Sequence, residues 1–113
     1  ENFRIKPNFK MIPPLSYIDM LKFLSNSKLI ITDSGGVQKE AFFSKKKCIT
    51  LRAETEWTEL IEAGVNILCG IKDDEILTAY NKMCLKTCDF SQNLYGDGRA
   101  ADKIIQTMVK FII

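Results

Sequence analysis

Three short runs constrain this chain more than anything else in it. Lys28-Leu29-Ile30-Ile31-Thr32, Lys47-Cys48-Ile49-Thr50-Leu51 and Asn66-Ile67-Leu68-Cys69 are apolar, rich in β-branched residues and bounded by turn-forming residues. They are too short for helices and do not alternate polar with apolar, the pattern of strands buried on both faces. Between them lie segments with helical periodicity and short connections. Strands alternating with helices in this way leave one economical solution, a parallel sheet flanked by helices with right-handed crossovers. Lys10 to Ile12, stopped by Pro13-Pro14, reads as one more strand. The expected fold class is therefore α/β, Rossmann-like, with a parallel sheet of about four strands.

The helices carry their own signals. Ser16 is placed to cap a helix, with Asp19 three residues later completing a capping box, and Tyr17, Met20, Leu21 and Leu24 fall on one face. A second helix is expected from about Val37 to Ser44. Thr55 reads as the cap of a third, carrying Trp57, Leu60 and Ile61 and ended by Gly64. Asp73 reads as the cap of a fourth, with Ile76, Leu77, Tyr80, Met83 and Cys84 on one stripe. After a loop near Asp89 to Tyr95 and the turn Gly96-Asp97-Gly98, a last helix places Ala101, Ile104, Ile105, Met108 and Ile112 together. Its end, Phe111-Ile112-Ile113, is more apolar than a free terminus needs. It is expected to pack either on a partner domain or on its own sheet.

At 113 residues there is room for one small domain. A net charge of +2, with Lys45-Lys46-Lys47 as its one basic run, gives no footprint for nucleic acid or an anionic membrane. No stretch approaches the roughly 20 apolar residues of a membrane span. Glu1-Asn2-Phe3-Arg4-Ile5-Lys6 lacks the apolar run of a signal peptide, so the chain is expected in the cytoplasm. There are 4 cysteines and 0 histidines. Cys48 and Cys69 sit in strand-like runs, and Cys84 and Cys88 have no histidine or second close pair to complete a metal site. All four read as free thiols of a reducing compartment. Without histidine the commonest general base is missing too.

Chemistry concentrates in Thr32-Asp33-Ser34-Gly35-Gly36-Val37-Gln38-Lys39-Glu40. In open parallel sheets ligands bind beyond the carboxyl ends of the strands, where Asp33-Ser34-Gly35-Gly36 falls. Two glycines let a backbone approach a ligand closely. The first-turn amides of the next helix lack internal partners and carry the positive end of its dipole, which favours an anion. The Ser34 hydroxyl can cap that helix or bond a phosphate oxygen. Gly36 and Glu40, four apart, share a helix face about 6 Å apart along the axis. There a carboxylate can accept hydrogen bonds from vicinal hydroxyls such as those of ribose. Phosphate at the helix start and ribose one turn on is what a nucleoside diphosphate requires. An ordinary turn and cap, with Glu40 merely solvated, is the competing reading. The Gly-x-Gly-x-x-Gly of dinucleotide folds and the Gly-Lys-Ser of a P-loop are absent, and no cofactor or metal is expected.

Several motifs in order resemble the non-hydrolysing UDP-N-acetylglucosamine 2-epimerases. Thr32-Asp33-Ser34-Gly35-Gly36-Val37-Gln38-Lys39-Glu40-Ala41 is similar to that family's signature. Pro14-Leu15-Ser16-Tyr17, Leu51-Arg52-Ala53-Glu54-Thr55-Glu56-Trp57, Glu62-Ala63-Gly64, Asn66-Ile67-Leu68 and Tyr95-Gly96-Asp97-Gly98-Arg99-Ala100 extend the likeness over nearly the whole chain. The resemblance implies the two-domain GT-B fold, with residues 1–113 as a nucleotide-binding α/β part of its C-terminal domain. It implies that Ser34, Gly35 and Gly36 hold the UDP diphosphate, that Glu40 bonds the ribose and that the helix after Pro14 lies by the uracil. Met20 stands where the family often has an aromatic against the base, and a thioether can also cover a base face. Arg52, Thr55 and Glu56 would line the cleft near the phosphates or sugar; for Arg52 a surface ion pair is the alternative. Trp57 departs from the Arg of many members. It is similar to a branch acting on modified sugars, and its spacing to Leu60 and Ile61 equally suits a core aromatic.

The implied reaction is elimination of UDP across C1–C2 to a glycal, followed by re-addition with C2 inverted. The resemblance puts the catalytic carboxylates and histidine outside this sequence, so no catalytic residue is expected in it and the chain alone should be inactive. It further implies a UDP-sugar as ligand, an N-terminal domain as partner, a homodimer for the full-length protein and a place in bacterial surface polysaccharide precursor synthesis. Three alternatives stay open: an epimerase of a diacetamido uronic acid or deoxy sugar, the donor-binding half of a GT-B glycosyltransferase, and a stand-alone nucleotide-binding module.

Overall fold

In the computed structural model residues 7–112 are described; Glu1 to Lys6 and Ile113, the last residue of the apolar C-terminal run, lie outside them. The elements run α1 (Tyr17–Asn26), β1 (Leu29–Thr32), α2 (Gly35–Phe43), β2 (Lys47–Leu51), α3 (Thr58–Glu62), β3 (Asn66–Cys69), α4 (Asp73–Leu85) and α5 (Ala100–Ile112). The strands form a parallel sheet in the order β1-β2-β3. Leu29 lies beside Lys47 and Thr32 beside Thr50; Cys48 lies beside Asn66 and Leu51 beside Cys69. The sheet has three strands rather than four, because Lys10–Ile12 joins no strand among the described residues. Met11 and Ile12 are exposed instead. The two prolines that follow supply no N–H and confine the chain, so so short a run gains no ladder.

Alternate residues of the strands face opposite layers. Ile30 and Cys48 pack with Leu24 of α1 and Ala41 of α2, joined by Met20, Leu21 and Val37. Ile49 faces the other way, onto Ala79 and Met83 of α4, with Leu29, Leu51, Ile67 and Cys69 around it. A third cluster, Phe42, Leu60 and Val65, is covered by Trp57, Phe90, Leu94 and Tyr95. Ile49, Leu60 and Met83 are wholly buried, and each such side chain stabilises the fold by about 1.5–3 kcal/mol. Burial also pushes the Cys48 thiol up to about 11, against a weaker opposing effect of Thr50, so it behaves as a small hydrophobe. All four cysteines are free.

Local chemistry explains the helix ends. Ser16 Oγ accepts from the Asp19 amide at 3.2 Å, the expected N-cap, but the reciprocal half of the capping box differs, because the Asp19 carboxylate accepts from the Ser16 hydroxyl at 2.7 Å rather than from its backbone amide. Gly64, at φ 72°, ends α3 with its amide on the Ile61 carbonyl. Two expected caps are corrected. Asp73 is the first residue of α4 and Lys72 precedes it as the cap position, so Asp73, Asp74 and Glu75 act through the helix dipole instead. Thr55 does not cap α3, which starts three residues later behind Trp57; its hydroxyl is engaged elsewhere, as described below. The stripe expected on α4 also shifts. Ala79 and Met83 are buried, whereas Leu77, Tyr80 and Cys84 are exposed, because the sheet meets the face centred on Ala79.

Helix α5 has no buried residue. Ile104, Ile105, Met108 and Phe111 are all exposed, so packing on its own sheet is ruled out as the explanation of its apolar face. The Cα radius of gyration, 17.9 Å, exceeds the roughly 13 Å of a compact domain of about this length.

Candidate functional site

Strand β1 delivers the chain to its carboxyl end at Thr32, and the turn to α2 is fixed at once. The Ser34 amide donates to Thr32 Oγ1 at 3.0 Å, and Ser34 Oγ, with extended backbone, accepts from the Val37 amide at 3.4 Å. Ser34 is thus the N-cap, and Gly35 and Gly36 form the first turn of α2, where backbone amides have no helical partner. Around Gly36 the space is open, with nothing within 4 Å of where a Cβ would stand. Gly35 is different. A Cβ there would strike the Glu56 carboxylate, with the Arg52 guanidinium 3.8 Å away. Arg52 Nη1 and Glu56 Oε2 are 3.0 Å apart, both partly exposed.

Arg52 follows β2 directly, so the carboxyl ends of two neighbouring strands bring Ser34, Gly35, Gly36, Arg52, Thr55 and Glu56 together. Arg52 forms the ion pair of its alternative reading, and does so at the mouth of the turn rather than at a remote surface. Glu40 lies one turn along α2 and lines a groove of about 500 Å³ shared with Tyr17, Ile18, Leu21, Lys22 and Phe43. The helix after Pro14 therefore does face Glu40. Met20 does not line that groove; it packs half-buried against the Leu24–Ile30–Ala41–Cys48 cluster. On α1, Leu21 touches both this cluster and the groove, whereas Met20 touches the cluster without lining the groove, and this separates Met20 from the other candidate residues.

A buried polar network underlies the turn. Gln38 is 0% exposed. Its Oε1 accepts from Thr55 Oγ1 at 2.7 Å and from Asn66 Nδ2 at 3.1 Å, while Asn66 Oδ1 accepts from Thr50 Oγ1 at 3.0 Å. Gln38 Nε2 has no partner among the described residues, an arrangement that costs about 1–3 kcal/mol. Thr55 Oγ1 also accepts from the Trp57 amide at 3.1 Å, and the Trp57 indole donates to the Gly35 carbonyl at 2.9 Å. Trp57 is half-buried on the Phe42–Leu60–Val65 cluster, which supports its reading as a core aromatic. The Lys39 ammonium sits 4.4 Å from the centroids of both Trp57 and Tyr95. Burial, with the Glu59 carboxylate beside it, pushes the Tyr95 phenol well above its ordinary range.

Gln38 and Lys39 belong to the motif, but their residue types alone assign them no role. Spacing carries the signal for Gln38: it is three residues after Gly35 and four before Phe42, so a polar side chain sits on a core-facing stripe. Among the described residues no group of His, Cys, Asp or Glu is arranged to hold a metal, and no helix is long and apolar enough to cross a membrane.

The family model described as UDP-N-acetylglucosamine 2-epimerase matches residues 1–109. This chain belongs to that family. The UDP-2,3-diacetamido-2,3-dideoxy-D-glucuronate 2-epimerase of Pseudomonas aeruginosa is 41% identical to this chain over 110 residues, covering 97% of this chain and 31% of its own. The crystal structure of Methanocaldococcus jannaschii UDP-GlcNAc 2-epimerase in complex with UDP-GlcNAc and UDP matches with a TM-score of 0.79 at 39% identity, over 89% of this chain and 28% of the other. The Neisseria meningitidis UDP-GlcNAc 2-epimerase bound to UDP-GlcNAc matches with a TM-score of 0.68 at 31% identity, over 88% and 28%. This member of the epimerase family thus spans 28% to 31% of the length of these relatives. It shares their α/β fold over almost all of its own length, as the resemblance implied for part of a larger enzyme.

Proposed function

We propose that residues 1–113 form the UDP-binding α/β portion of the C-terminal domain of a UDP-N-acetylglucosamine 2-epimerase of the cytoplasm, serving polysaccharide precursor synthesis. The observation that carries the reading is the junction of β1 and α2. A Ser-capped helix start, open at Gly36, leads one turn later to Glu40 in a groove against α1. The diphosphate would lie on the amides of Gly35 and Gly36 beside Ser34, with Arg52 as the nearest cation. The ribose hydroxyls would donate to Glu40, with the base along Tyr17 and Leu21. Thr55 and Glu56 would border the phosphates, and Met20 would act only by supporting α1.

In this reading a base outside the chain removes the C2 proton while the C1–O bond breaks. The electron pair forms the C1–C2 double bond of the glycal, and the diphosphate departs with its charge held here. Re-addition of UDP at C1 and a proton at the opposite face of C2 completes the inversion. The chain itself supplies leaving-group stabilisation and no acid–base pair, so it should not epimerise alone. The uncovered apolar face of α5 supports docking of the domain that supplies those groups. A homodimer of the full-length protein belongs to the same proposal.

Titration of the chain with UDP tests the site. Ser34→Ala and Glu40→Ala should each weaken binding by about 1–3 kcal/mol; unchanged titrations for both would sink the assignment. A second reading, an epimerase of a diacetamido uronic sugar, is favoured by the 41% identity to the Pseudomonas relative. Turnover of that sugar nucleotide in preference to UDP-N-acetylglucosamine by the full-length protein would select it.

A further inference from the structure

We propose that Gln38, Thr55 and Trp57 are positioning residues that fasten the Arg52–Trp57 segment over the start of α2 and so tune the contact with the diphosphate, not with the nucleoside. The inference rests on the UDP reading above and adds residues and a mode of action to it.

The hydrogen bonds close a ring. Gln38 Oε1, in the second turn of α2, takes the Thr55 hydroxyl proton at 2.7 Å. That hydroxyl oxygen takes the Trp57 amide at 3.1 Å. The Trp57 indole returns to α2 by donating to the Gly35 carbonyl at 2.9 Å. Both hydrogen-bonding capacities that matter on Thr55 are used inside the protein, so its hydroxyl holds its own segment rather than a ligand. The ring fixes Thr55 and Trp57 on either side of Glu56, which holds the Glu56 carboxylate, and through it the paired Arg52 guanidinium, over Gly35. It is anchored behind by Asn66 and Thr50 on the neighbouring strands. All of this touches the Gly35 side of α2. The Glu40 side, which would carry the ribose, has none of these bonds.

The distinction is measurable as the gain in affinity from uridine to UDP. Thr55→Val keeps the shape and removes both hydroxyl bonds; Trp57→Phe keeps the ring and removes only the bond to Gly35. Each should reduce UDP affinity about tenfold while leaving uridine affinity unchanged, and Thr55→Ser should restore UDP binding. Trp57 is the single tryptophan, so its emission without ligand should shift to the red in Thr55→Val and return in Thr55→Ser. Equal losses for uridine and UDP, no loss for UDP in either variant, or no recovery in Thr55→Ser would overturn the proposal. Failure of the site reading looks different: Ser34→Ala and Glu40→Ala would leave UDP binding untouched, while the Trp57 emission would still report the ring.

Discussion

Helix α2 meets two very different surroundings on its two sides. Toward the Arg52–Trp57 segment, Gly35 is overlaid by an ion pair, Gln38 is wholly buried in a polar network and Phe42 is packed against Phe90 and Tyr95. Toward α1, Gly36 faces open space, and Glu40 and Phe43 line a groove. Nine residues thus serve two tasks, with fixation on one side and access on the other. A groove that offers a carboxylate to a ligand needs a rigid backbone behind it. Here the rigidity comes from contacts that never enter the groove.

The largest expected contrast is between adjacent phenylalanines. Phe42 is 8% exposed and Phe43 61% exposed. Phe42→Ala should destabilise the chain by about 3–5 kcal/mol through lost burial and a cavity. Phe43→Ala should cost less than about 1 kcal/mol. Denaturant unfolding of the two variants gives the difference directly; equal losses would mean that the groove side is as tightly built as the other.

The same contrast separates what the sequence reveals from what it hides. β1, β2 and β3 stand out because buried parallel strands leave compact β-branched runs, and the Ser16 and Ser34 caps are visible because capping is local chemistry. The place of Ser34, Gly35 and Gly36 at a strand end follows from that local order. What lies on the fastened side of α2 is hidden, because Gln38 meets Thr55 and Asn66 across 17 and 28 residues of chain. Thr55 looks like a helix cap for the same reason, since its real partner is distant. Lys10–Ile12 has strand chemistry but no neighbouring strand among the described residues. The apolar stripe of α5 is real, yet periodicity cannot say what covers it.

The two glycines offer a second contrast. An alanine at position 36 meets nothing and gains helix propensity, so Gly36→Ala should raise stability by up to about 1 kcal/mol. Gly35→Ala must displace the Glu56 carboxylate and break its pairing with Arg52. A partly exposed pair of this kind is worth under about 1 kcal/mol, which offsets the propensity gain and leaves stability nearly unchanged. In thermal melts only Gly36→Ala should rise, by roughly 4–8 °C per kcal/mol for a small domain. Under the proposed site both substitutions weaken UDP binding, because a methyl group keeps phosphate oxygens from the amides. If Gly35→Ala were as stabilising as Gly36→Ala, the overlay by Arg52 and Glu56 would not be a constraint.

Lys39 sits on α2 between the two sides, and it tests where the fastened side ends. Its ammonium lies 4.4 Å from both the Trp57 and the Tyr95 rings, which meet edge-on at 6.0 Å. A cation shared by two ring faces contributes about 0.5–1 kcal/mol per contact at such half-open positions, while its methylene stem adds apolar cover. Lys39→Met keeps the stem and removes the charge from both contacts, so it should cost about 1–2 kcal/mol in denaturant unfolding. Lys39→Arg should retain most of the stability, because a guanidinium also stacks on aromatic rings. The charge lies on the side that carries Trp57, so uridine affinity should not change in Lys39→Met. A drop in uridine affinity together with unchanged stability would move Lys39 to the groove side, and the boundary between fixation and access would then run through Trp57 rather than in front of it.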